Sequence, residues 1–151
     1  MKRLLRSPAV NAVCISIFTA FYAIVFYATS KNIVSENNLY HKGLASLWSA
    51  WSSFLAAGHH LYITCFLVAV TIVIVVLLVM RRKPYDEYHT SILTHCLVIA
   101  AVLTLVAIAI FYLLILNEPT GIVEKFTFFI VIHWSTVVIS NLAYVLLCRW
   151  R

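Results

Sequence analysis

Leu61–Met80 reads LYITCFLVAVTIVIVVLLVM, twenty residues without a charge, and interrupted only by Tyr62, Thr64, Cys65 and Thr71. About 20 apolar residues in a helix cross a hydrocarbon core of roughly 30 Å. In water so many Val and Ile residues would favour a strand. In lipid a lone strand leaves its backbone N–H and C=O groups unpaired, so this stretch must be a helix.

Three further windows repeat the pattern. Ala9–Thr29 carries no charge and one amide, Asn11; Ile92–Leu116 carries one imidazole, His95; Phe126–Cys148 carries His133 and Asn141. The whole chain agrees with them. Of 151 residues, 64% are apolar and 11% charged, against roughly 45–50% and about 25% in a soluble domain. The expected architecture is an all-α integral membrane protein in a single domain: an antiparallel bundle of four helices crossing near residues 9–29, 58–80, 90–116 and 122–148.

Orientation follows from the basic residues. Lys2, Arg3, Arg6, Arg81, Arg82, Lys83, Arg149 and Arg151 fall on one side, and Lys31, Lys42 and Lys125 on the other. The richer side is expected to face the cytoplasm, with both termini and the Arg81–His89 loop. A multi-pass plasma-membrane protein fits this pattern. Its partners are then the bilayer itself and anionic headgroups at the cytoplasmic face, and the +6 net charge needs no nucleic acid to explain it. The basic start followed by Ala9–Thr29 could imitate a secretory signal, but its apolar run exceeds the 7–15 residues of a signal core, so an uncleaved span is expected.

Between the first two spans, Leu44, Leu47, Trp48, Trp51 and Leu55 recur at helical spacing, with serines largely opposite. This predicts an amphipathic helix at the outer interface anchored by Trp48 and Trp51, and a break near Gly58 before the second span. The other connections are short. Pro84 and the acids Asp86 and Glu87 suit a helix start, and Asn117–Gly121 suits a turn. Ala12, Ser16 and Ala20 form a small-residue spacing that allows close helix approach, to this chain or to a second copy.

Chemistry-bearing residues are few. On the fourth span His133, Thr136, Ser140, Asn141 and Tyr144 share one helical face, which in lipid should look onto other helices or a cavity. Six histidines invite a haem reading, but His133, His95 and the pair His59 and His60 enter the membrane at unlike depths, so no cofactor is expected. Two loose sets have metal-ligand chemistry: His59 and His60 at the outer mouth of the second span, and Cys14, His95 and Cys96 in the inner half. The alternative for each is a solvated imidazole or a small packing thiol. The four cysteines include no C-x-x-C pair, and no nucleophilic triad, phosphate loop or intramembrane carboxylate is visible.

Three roles remain open. The reading adopted is a non-catalytic accessory or scaffold subunit, the polar stripe of the fourth span meeting a helix of its partner, a second copy or another membrane protein. The alternatives are a small oligomeric transporter or channel using the polar stripe, and a haem- or metal-binding redox protein. Four short-looped spans do not choose among them.

Overall fold

The computed structural model describes residues 7–36, 46–80 and 86–149. Leu44, Pro84 and the basic residues at 2, 3, 6, 42, 81–83 and 151 lie outside them. Five α-helices follow in order: α1 Pro8–Glu36, α2 Ser46–Phe54, α3 His60–Met80, α4 Glu87–Asn117 and α5 Ile122–Arg149. α2 leads into α3 through one wide π-helical turn, Leu55–His59. Among the described residues there is no strand. Within the described residues four segments are long and apolar enough to cross a membrane: Pro8–Ile33, Leu47–Met80, Glu87–Asn117 and Ile122–Cys148. The chain is therefore an all-α, multi-pass membrane protein.

α1 and α5 form the centre. α3 packs along α1 and also touches α5, while α4 packs mainly on α5. The buried face of α5 runs Thr127, Ile130, Trp134, Val138, Asn141, Val145 and Cys148, the alternating three- and four-residue spacing of a near-parallel bundle seam. Phe26 and Ile15 of α1 and Leu67, Ile74 and Leu78 of α3 complete the core. One polar contact joins α1 to α3, where the Thr19 and Thr71 hydroxyl oxygens lie 3.0 Å apart. Ala12 is buried, whereas Ser16 and Ala20 border an open groove between α1 and α3.

The helix ends follow from local chemistry. Asp86 caps α4 in an extended conformation, its carboxylate accepting from His89 N–H at 2.9 Å. α4 stops at Glu118, because Pro119 cannot donate to the next turn. Gly121, at φ 68°, then reverses the chain into α5.

The expected break before α3 is present, and Gly58 makes it, with φ 87° inside the wide turn. The turn changes the neighbouring histidines. The imidazole Nδ1 of His60 lies 3.1 Å from the Leu55 carbonyl and donates to it. His59 turns the other way, against Phe54 at 4.6 Å and Tyr62 at 5.8 Å between ring centroids. A Cβ at Gly58 would meet no atom within 4 Å, so substitution is penalised by the backbone alone. Gly58→Ala should cost about 1–2 kcal/mol, read as an earlier midpoint when the purified protein is unfolded by SDS in mixed micelles. An unchanged midpoint would mean that the turn relaxes to a regular helix at no cost.

Candidate functional site

α5 carries the four buried polar residues Glu124, Lys125, Thr127 and Asn141, and the structure distributes its polar side chains to different neighbours. His133 reaches α1, where its Nδ1 hydrogen-bonds the Tyr22 hydroxyl. Aromatic rings enclose that pair: Phe18 stacks on Tyr22 at 4.4 Å, and Phe129 on His133 at 6.0 Å. Thr136 donates to the Ile132 carbonyl of its own helix at 2.8 Å and borders the α4–α5 crevice. Ser140 is half-buried. Tyr144 sits in the core. The predicted stripe is thus shared between α1, the α4–α5 crevice and the helix's own backbone.

Asn141 has a different situation. It is 4% exposed, and its Nδ2 donates to the Val137 carbonyl at 2.9 Å. A carbonyl accepts only from the amide nitrogen, so the side-chain oxygen is fixed in the opposite direction. That oxygen is buried and has no hydrogen-bond partner. Across from it on α1, Asn11 presents a buried Nδ2 that also has none.

Both amides line the same crevice, of about 290 Å³, between α1, α4 and α5. Cys14 and Phe18 of α1 and Leu93 and Leu97 of α4 form much of the rest of the wall, and among the described residues no Lys, Arg, Asp or Glu borders it. Its origin lies in the helix arrangement: α1 and α4 both pack on α5 but hardly on each other. The gap is therefore floored by α5. An orphaned buried donor or acceptor costs about 1–3 kcal/mol, and lipid tails cannot relieve it. Both orphaned atoms have almost no accessible surface, so the two residues border the crevice through their other atoms.

The metal-ligating candidates stay apart. Cys14 lies on the crevice wall, Cys96 is half-buried, and both are free thiols. His95 is exposed, with Nδ1 2.7 Å from the Ser91 carbonyl of its own helix. His59 and His60 diverge as described. Among the described residues no group of three or more His, Cys, Asp or Glu side chains gathers around a common point.

Sequence reasoning missed Lys125. Its sequence position places it with the few basic residues of the outer side, yet its side chain is 1% exposed. The ammonium turns back to the end of α4, donating to the carbonyls of Glu118 and Thr120, the latter at 2.9 Å, with Leu114 O at 3.5 Å. The Glu118 carboxylate stands 3.6 Å away, and the indole of Trp48 covers it at 5.6 Å. Trp51 holds α2 in place by donating to Thr127 at 3.2 Å, and both indoles rest edge-on against Phe128. The α4–α5 crevice of about 260 Å³ opens beside this cation. All three ammonium protons are engaged within the chain, so Lys125 is a structural clamp and offers no free charge to a ligand.

No protein-family model, curated protein or solved structure matches this chain, so its function has to be read from these residues.

Proposed function

We propose that the protein is a non-catalytic accessory or scaffold subunit of the plasma membrane. Its termini are cytoplasmic, and it works by lateral association of helices with a second copy or with another membrane protein. The supporting observation is α4. This helix of 31 residues leans on the bundle along one side, and only 6% of its most apolar window is buried. Val98, Val102, Leu105 and Leu113 are all open. The polar stripe of α5 contributes little to association, since His133 is already bonded to Tyr22. The basic residues on the cytoplasmic side would hold the bundle against anionic headgroups.

In-membrane crosslinking tests the reading. With the native cysteines replaced, single cysteines at Val98, Val102, Leu105 and Leu113, which share one face of α4, should join a second polypeptide, and one at the buried Ala100 should not. Native mass spectrometry from a mild detergent should then return a defined complex. A bare monomer, with none of the four positions crosslinked, would remove the proposal.

A further inference from the structure

We propose that His133 holds a lipid-soluble quinone at the deep end of the crevice between α1, α4 and α5, its Nε2–H donating to a ring carbonyl. The imidazole Nδ1 meets the Tyr22 hydroxyl, and among the described residues neither side chain has another hydrogen-bond partner. Two arrangements satisfy that contact. With Nδ1–H donating, both the phenolic hydrogen and Nε2 go without a partner. With the phenol donating, only Nε2–H does, and fewer polar groups are left unpaired in lipid. His133 is half-buried, and its Nε2 keeps accessible surface, unlike the enclosed indole N–H of Trp134 beside it. The nitrogen is therefore a reachable donor, its tautomer set by Tyr22.

Helical spacing places this donor at the crevice. On α5, Val137 and Asn141 line the space, and His133 continues their face one turn further along. On α1, Phe18 lines it, with Tyr22 one turn beyond. Phe18 joins the two sets: it belongs to the crevice wall, stacks on Tyr22 at 4.4 Å and meets His133 edge-on at 5.8 Å. Since α1 and α4 hardly pack on each other, the space between them opens sideways to the bilayer.

Depth selects the ligand. Along Ile122–Cys148, His133 stands about 17 Å from one end and about 23 Å from the other at 1.5 Å per residue. Along Pro8–Ile33, Tyr22 stands about 21 Å and about 17 Å from the ends. Both lie near the middle of a hydrocarbon core about 30 Å thick. A phosphate headgroup drawn that deep would lose its water, and phospholipid ester carbonyls remain at the interface. The acceptor has to belong to a molecule that is itself apolar, and the ring carbonyl of a quinone is such a group. The crevice volume of about 290 Å³ is roughly twice that of a dry cavity of about 150 Å³ that admits benzene. It takes a six-membered ring and the start of an isoprenoid tail, which leaves between α1 and α4. A polar side chain of a partner helix could accept from the same nitrogen, and the experiment separates the two.

The full chain is reconstituted in phosphatidylcholine vesicles with a fully substituted benzoquinone, which cannot add the Cys14 thiol. Its alkyl tail carries a diazirine next to the ring and a terminal alkyne, and labelled peptides are mapped by mass spectrometry. Labelling should saturate and fall on the segments around Phe18 and Leu97. The unlabelled quinone should compete, whereas the same ring with both carbonyls reduced and O-methylated should compete about tenfold less well, the worth of one hydrogen bond in a dry site. His133→Phe, which keeps a ring but no donor, should lower labelling by about the same tenfold, and Tyr22→Phe by less. In infrared difference spectra one C=O band of the bound quinone should move to lower frequency, and His133→Phe should abolish that shift. Val137→Phe should abolish labelling by filling the crevice while leaving the Tyr22–His133 pair. If His133→Phe fails to fold, Val137→Phe and the dimethoxy compound carry the test. Equal competition by that compound, an unshifted carbonyl band, or wild-type labelling in folded His133→Phe would overturn the proposal. So would a wild type that takes up no quinone but loses its complex on His133→Phe, which would give the nitrogen to a partner helix. The α4 crosslinks read a different surface, so a bare monomer that still binds the quinone would remove only the accessory role.

Discussion

Replacing Lys125 with methionine is expected to lower the stability of the bundle by about 3 kcal/mol, the largest single loss available outside the hydrophobic seam. The reasoning starts at the end of α4. A helix finishes with carbonyls that have no intrahelical donor, and within a bilayer no water reaches the buried ones. Here one ammonium serves Glu118 and Thr120 together and stands near Leu114, at the end where the helix dipole is negative. Methionine keeps the bulk and the contact with Trp48 but removes every donor. Glu118→Gln should do far less, because that carboxylate is 31% exposed and lies beyond hydrogen-bond length at 3.6 Å. Lys125→Arg should not restore the wild type, since a planar fork cannot direct its donors to the same carbonyls. SDS titration in mixed micelles, followed by far-UV circular dichroism, measures all three. A Lys125→Met protein with the wild-type midpoint would show that the carbonyls find other donors, and the clamp would have to be abandoned.

The same residue shows where sequence reading ends. Four spans, a preceding amphipathic helix and a break at Gly58 were legible because length, charge and glycine act locally. Lys125 was not, because a cation near a helix start reads as a solvated group. Only the turn at Gly121 brings it back onto α4. The polar face of α5 was legible as spacing, but its partners were not. α3 and α4 are apolar on nearly every side, and lipid accepts such a surface as readily as a protein core does. Hydropathy therefore cannot say which side of α5 meets α1. The buried seam passes through Trp134 and Val138, which leaves His133 and Ser140 on its flanks and carries Asn141 inward. Asn11 and Asn141, more than a hundred residues apart in sequence, meet one crevice only once that rotation is set.

Trp134 tests that seam directly. Its side chain is 0% exposed and meets Phe26 of α1 in an edge-to-face contact at 6.4 Å, with Ile130 and Val138 a turn away on either side. In a water-soluble core, Trp→Ala costs about 3–5 kcal/mol, partly from transfer out of water and partly from the void left behind. The first part nearly vanishes in a bilayer, because the exposed ring would enter hydrocarbon rather than water. What remains is lost dispersion across the void, so Trp134→Ala is expected to cost about 2–3 kcal/mol. Trp134→Phe should cost less, for it leaves a smaller void and also removes an indole N–H that has no partner. The comparison separates the cost of the void from the relief of an unpartnered N–H at the centre of the bundle. Both variants should lose SDS resistance in the order alanine, phenylalanine, wild type, and the alanine variant should lose near-UV dichroism first. If Trp134→Ala were as resistant as the wild type, α1 and α5 would not be held by interlocking side chains. The link between them would then rest on the hydrogen bond between Tyr22 and His133.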